Sequence, residues 1–156
     1  MKKKAVIILI CAAAAAAALW AAREYPEPSP VFESEPISDE IFARMYGKSY
    51  KEDCTVPREE LRYLRLSHYG FDGQIHEGEM VVNAAIADEV TEIFRELFEA
   101  RYPIEKMRLI DDYDADDESS MADNNSSAFN YRTISGMDKL SNHSRGMAID
   151  INPLYN

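Results

Sequence analysis

The stretch Ser141-Asn142-His143-Ser144-Arg145-Gly146-Met147-Ala148-Ile149-Asp150-Ile151-Asn152-Pro153 sets an imidazole and a carboxylate close together in the chain. Its alternation predicts a strand over 148–152, with Ile149 and Ile151 turned into a core. Asp150 then faces the other way, with small Ala148 beside it on the same side. Gly146 lets the backbone bend between His143 and Asp150. A neutral imidazole and a carboxylate brought together in this way are two donors suited to Zn²⁺. The same pair also reads as a simple hydrogen bond between a strand Asp and a nearby His, and spacing alone does not separate the two.

Other residues with chemical potential are weaker. The acidic run Asp111, Asp112, Asp114, Asp116, Asp117 and Glu118 first suggests calcium. Asp112, Asp114 and Asp116 match the first three ligand positions of an EF-hand loop. Asp117 stands where that loop needs Gly, and Asp123 where it needs a bidentate Glu, so the run reads as a solvated acidic loop. His68 and His76 are the two other histidines. A two-residue turn at Asp72-Gly73 would pair His68 with Glu77 and His76 with Tyr69, which places the two imidazoles on opposite faces of a hairpin. Cys11 and Cys54 are the only cysteines. They supply no disulfide framework and no Cys-based metal site, and nothing around Cys54 would lower its pKa.

The elements that must carry these groups follow from pattern. Leu61 to Phe71 and Gln74 to Asn83 flank Asp72-Gly73 and predict a hairpin. Leu64, Leu66 and His68 share one face of its first strand. Val82, Ile86, Val90, Ile93, Phe94, Leu97 and Phe98 recur at helical spacing with acidic residues between them, and Pro103 stops that helix. Residues 104–110 predict a strand, 111–127 a polar loop, and 128–133 and 148–152 two further short strands. The resulting fold class is α+β, a small antiparallel sheet packed against one long helix.

Charge and composition bound the function. The 156 residues hold 17 Lys+Arg and 28 Asp+Glu. Residues 5–22 are all apolar and follow Lys2-Lys3-Lys4; without this leader 14 basic residues face 28 acidic ones, a net charge of −14. Such a body repels phosphate backbones, which excludes a nucleic-acid-binding module. The leader reads as a secretory signal peptide or an N-terminal anchor, so the body is exported to the periplasm or cell envelope, with membrane contact only through an uncleaved leader. Ile10 before Cys11 argues against a lipidation site. Residues 23–40, rich in Pro, Glu and Ser, read as an extended solvated linker, and 41–156 as the folded domain, a monomer.

SNHSRGMAIDINP resembles the Ser-x-His-x-x-Gly-x-Ala-x-Asp motif of the D-alanyl-D-alanine carboxypeptidase and dipeptidase group of zinc metallopeptidases, peptidoglycan-cutting enzymes of the fold shared with hedgehog signalling domains. SMADNNSSAFNYRTISG is similar to the segment before that motif in the carboxypeptidase-like branch. The likeness runs from about Leu61 to Asn156.

The resemblance implies that His143 and Asp150 are ligands of one zinc ion. It places Ser141 at a site serine that touches substrate. Arg132 becomes the candidate for holding a peptide carboxylate or stabilising an oxyanion, work to which a guanidinium fork is suited; the alternative is that Arg132 pairs with the acidic loop. The implied partner is a peptidoglycan stem peptide. The family also uses a third ligand, a His, preceded by a Glu that acts as general base, and neither follows Asp150 here. The expectation is therefore a C-terminally truncated family member with an incomplete zinc site and little hydrolytic activity, its sheet lacking strands at one edge. Enzymatic activity does not follow from the resemblance, and a non-catalytic peptide-binding module derived from such an enzyme is the alternative.

Overall fold

A computed structural model describes residues 29–155 of the chain. The leader expected over 1–22 and the first part of the expected linker lie outside the described residues. Among the described residues no helix is long and apolar enough to cross a membrane.

The hairpin forms as β2 (Leu61–Tyr69) and β3 (Ile75–Asn83), paired antiparallel. Its turn is one residue longer than expected. Gly70 N–H donates to Gln74 O at 2.8 Å and Gly73 N–H to Gly70 O at 3.0 Å, leaving the loop Phe71-Asp72-Gly73. Gly73 completes it at φ +74, the left-handed residue that a three-residue hairpin loop needs. The Asp72 carboxylate favours this loop by accepting Gln74 N–H at 2.9 Å. The extra residue shifts the register, so that His68 pairs with His76. The two imidazoles share a face with ring centroids 5.8 Å apart, which corrects the expectation that they point apart.

The expected linker over 23–40 is also corrected. Phe32–Pro36 forms β1, antiparallel to β2, and completes a three-stranded sheet in the order β1-β2-β3. Phe32 packs edge-on against Phe98 at 5.6 Å, and Glu33 pairs with Arg65 at 2.8 Å. Glu, Ser and Pro are linker residues, but they are also what blunts an exposed edge strand, and composition alone does not distinguish the two uses. The first helix, α1 (Asp39–Met45), starts before Ile41, capped by the Ser38 hydroxyl, which accepts Ile41 N–H at 3.2 Å.

The long helix is α2 (Ala87–Glu99). Val82 belongs to β3, and the helical spacing holds from Ile86 onward. Val90 and Phe94 are buried against Leu64, Leu66, Met80 and Val82 on one face of the sheet. At the C-terminal end Tyr102 N–H caps Leu97 O at 2.8 Å, and Pro103 follows. The opposite face of the sheet is covered too. Met45 of α1 packs there with Leu61, Val81, Leu109, Phe129 and Tyr131. A sheet buried on both sides explains why Met80, Val81 and Val82 are buried in succession rather than alternately.

After α2 the strands are shorter than expected. Only Lys106–Met107 of 104–110 forms a strand, β4, parallel to β5 (Asn125–Ser126). The expected polar loop between them contains α3 (Asp117–Ala122), capped by the Asp116 carboxylate. Residues 128–133 and 148–152 are not strands. They are extended segments tied to their neighbours by isolated bonds, among them an antiparallel bridge between Ser127 and Asp150.

Candidate metal centre

The turn bearing His143 is a single 3-10 turn, His143–Arg145, closed by Gly146 in the left-handed region at φ +65. Gly146 is needed twice. A Cβ there would lie 2.6 Å from Asn83 N and 3.0 Å from Val82 C, because the turn presses onto the backbone of β3. Asn83 N–H donates to Gly146 O at 2.9 Å across that contact. The bend at Gly146 was legible in the chain; the close approach to β3 was not.

The turn is zipped along segment 128–132. Asn130 N–H donates to His143 O at 3.2 Å, and Ser141 N–H to Arg132 O at 3.0 Å. Ser144 is fully buried between them: its Oγ accepts Arg132 N–H at 2.9 Å and donates to Arg132 O at 2.5 Å. Ser144 was not singled out from sequence, because a serine of the motif gives no local sign that it will be buried. Ser141, the candidate substrate contact, is buried, and its Oγ accepts His143 N–H at 3.3 Å.

His143 Nδ1 lies 2.7 Å from Ala128 O. A carbonyl only accepts, so Nδ1 carries the proton and Nε2 of the neutral ring is a bare lone pair. Asp150 is set by the residue next to Ala128: Asp150 N–H donates to Ser127 O at 2.9 Å, and Ser127 N–H donates to Asp150 O at 3.1 Å. Consecutive residues thus hold the two candidate donors. Ile149 and Ile151 pack against the core cluster under α2, as the alternation predicts.

The result is that His143 Nε2 faces Asp150 Oδ2 at 3.3 Å, with the imidazole 15% and the carboxylate 47% exposed. This is longer than the ~2.7–2.9 Å of a charge-assisted N–H···O bond. It matches the edge of a zinc tetrahedron, since Zn–N and Zn–O bonds of about 2.0–2.2 Å separate two donors by about 3.3–3.5 Å. Two lone pairs at that distance repel unless a cation or a proton lies between them. The fixed tautomer is the arrangement that supports a metal-ligating histidine. The donor chemistry therefore fits zinc, although among the described residues no group of three His, Cys, Asp or Glu side chains converges as a metal site.

Arg132 lies against the acidic loop. Its Nε forms an ion pair with Asp117 Oδ2, the pairing with the acidic loop that stood as its alternative role. Asn130 Nδ2 donates to the other oxygen, Asp117 Oδ1, at 2.9 Å. Four other acids of the run have separate partners. Asp111 is buried and accepts Ser49 N–H at 3.0 Å, Asp112 meets Arg44 at 3.3 Å, Asp114 meets Lys48 at 2.7 Å, and Asp116 caps α3. They do not converge on one point, so the EF-hand spacing has no counterpart in the fold.

His68 and His76 form a separate group at the hairpin tip. His76 Nε2 sits 3.0 Å from Asp72 Oδ1, while His68 is buried and its Nδ1 lacks a hydrogen-bond partner. Burial pushes the His68 imidazole below its ordinary pKa. Burial likewise pushes the Cys54 thiol up, in keeping with an unreactive side chain. Comparison of the chain with protein-family models, with curated proteins and with solved structures found no match.

Proposed function

We propose that this is a zinc-binding protein of the D-alanyl-D-alanine peptidase type, exported to the cell envelope, with the hedgehog-like peptidase fold and a site directed at peptidoglycan stem peptides. One observation carries the reading: a tautomer-fixed His143 Nε2 facing Asp150 Oδ2 at tetrahedral-edge spacing. When bound there, zinc supplies Lewis acidity toward a peptide carbonyl. The residues of this chain do the holding. Ala128 O fixes the imidazole, the Ser127 bridge fixes the Asp150 backbone, and the buried Ser144 hydroxyl locks the turn against the Arg132 backbone.

The second reading is a peptide-binding module without catalysis. Zinc titration of the full chain tests the first reading. The expected result is one ion per chain, with binding lost in both His143→Ala and Asp150→Ala. Binding left intact by His143→Ala refutes it. Hydrolysis of a peptide ending in D-alanyl-D-alanine separates the readings: zinc-dependent turnover abolished by His143→Ala supports the enzyme, and binding without turnover supports the module.

A further inference from the structure

We propose that the hairpin tip carries a second binding site, a shallow aromatic cleft in which Arg101 receives the carboxylate of an acidic saccharide; it uses none of the zinc-site residues. The cleft is a cavity of about 280 Å³ lined by Tyr69, Gly70, Phe71, Gly73, Arg101 and Pro103. That volume is just below the ~300–1,000 Å³ of ordinary small-molecule sites, so it suits a single ring-sized group. Its walls are fixed. Tyr69 stacks on Phe98 of α2 at 4.9 Å, and Ile104 N–H donates to Tyr69 O at 2.8 Å, which ties the segment after α2 to the end of β2.

The charge of the ligand follows from Arg101, the charged residue of the lining. Among the described residues its guanidinium has no hydrogen bond or ion pair, and it stands over the Tyr69 ring, 5.5 Å from the centroid. Asp72 does not offset it, because that carboxylate accepts Gln74 N–H at 2.9 Å and lies 3.0 Å from His76 Nε2. Arg101 also keeps its place against the preference of its backbone. Its N–H donates to Phe98 O at 2.9 Å just past the end of α2, with φ +53, a position that glycine ordinarily takes. Glycine would serve the fold there; what arginine adds is a cation at the cleft. In a chain of net charge −11, an unpaired guanidinium beside aromatic walls selects an anion.

The body of the ligand follows from exposure. Phe71 is 50% exposed, and Tyr155, whose ring lies 6.0 Å from it, is 68% exposed, so the two rings widen the cleft into an open platform. An aromatic acid gains affinity by burying its ring, which half-exposed walls do not do. A pyranose lays its C–H face on an aromatic ring and keeps its hydroxyls in water, where they need no partner from the protein. A carboxylate on that pyranose is the group that a guanidinium fork recognises.

The test is an NMR titration of the full chain with D-glucuronate, D-glucose and benzoate. Glucuronate should shift the signals of Phe71, Gly73 and Arg101 and bind about tenfold more tightly than glucose, the scale of one charge-assisted hydrogen bond. Arg101→Gly should abolish that preference while leaving the urea midpoint at or above the parent's, because it also relieves the positive φ. Should Arg101→Gly not fold, Arg101→Gln removes the charge at similar length and should lose the same preference, whereas Arg101→Lys should keep most of it. Phe71→Ala should weaken glucuronate and glucose alike, about two- to tenfold. Benzoate binding as tightly as glucuronate overturns the saccharide assignment. An acid preference that survives Arg101→Gly or Arg101→Gln, or no binding of glucuronate by the parent, overturns the site. Zinc binding by Arg101→Gly should match the parent's, so failure of this site and failure of the zinc reading are read separately.

Discussion

Replacing Gly146 by alanine combines two costs that can be separated by comparison with Gly73. Both glycines have positive φ, +65 and +74. A Cβ at Gly73 meets nothing within 4 Å, whereas one at Gly146 lies 2.6 Å from Asn83 N and 3.0 Å from Val82 C. Gly73→Ala therefore reports backbone strain alone, about 1–2 kcal/mol. Gly146→Ala adds an overlap with backbone atoms of a buried strand, which cannot rotate away as a side-chain end could. Overpacking of this kind costs a further ~1–3 kcal/mol, so the total is about 2–5 kcal/mol. That is a large share of the ~5–15 kcal/mol that stabilises a typical domain. Urea unfolding of the full chain measures both variants, with the m-value unchanged if the difference lies in the native contact. Zinc affinity should fall in Gly146→Ala and hold in Gly73→Ala, because only the former displaces the turn that carries His143. Equal destabilisation by the two substitutions would refute the claim that the turn is seated against β3.

Two titrating groups give pH predictions of opposite sign. Burial raises the Asp111 pKa above its ordinary 3.8, so in the window above that value the folded chain holds a proton that the unfolded chain has released. Stability then falls as pH rises through that window. Asp111→Asn keeps an acceptor for Ser49 N–H and should be more stable than the parent at pH 7, on the order of 1 kcal/mol, and equal to it near pH 3; a loss of stability at pH 7 would show that the ionised carboxylate is required. The His68 pKa is lowered from 6.5, again through burial, so the unfolded chain binds the extra proton first and stability falls as pH drops below 6.5. His68→Phe should flatten that fall between pH 6.5 and pH 5 in urea midpoints, and an undiminished fall would place the sensitivity elsewhere.

What the sequence revealed depended on how far each feature reaches along the chain. The hairpin and α2 are encoded locally, by Asp72-Gly73 and by an apolar spacing that tertiary contacts only confirm. His143 and Asp150 were legible because one short motif contains both. The histidine pair was misread because a hairpin register turns on a single residue: Asp72 binding Gln74 N–H lengthened the loop and moved every facing pair. β1 was misread because its composition serves a linker and an edge strand equally. The segments 128–133 and 148–152 have strand-like alternation, yet their backbone groups bond to turns, to Ser144 Oγ and to one another through single bridges. The pairing of Arg132 with Asp117 joins residues that no periodicity connects, so only the folded arrangement selects Asp117 from the other acids of its run.

The anchoring of the two donors on neighbouring residues has a mechanical consequence. Ala128 O steers the ring and Ser127 ties down the Asp150 backbone, so the adjacent Ser127-Ala128 unit serves as the jig for both. A shift of that unit carries both groups along and leaves the gap between them nearly constant. The loop from Thr133 to Leu140, which leaves segment 128–132 and returns through a bridge of its own, can therefore change shape without altering the gap between His143 and Asp150.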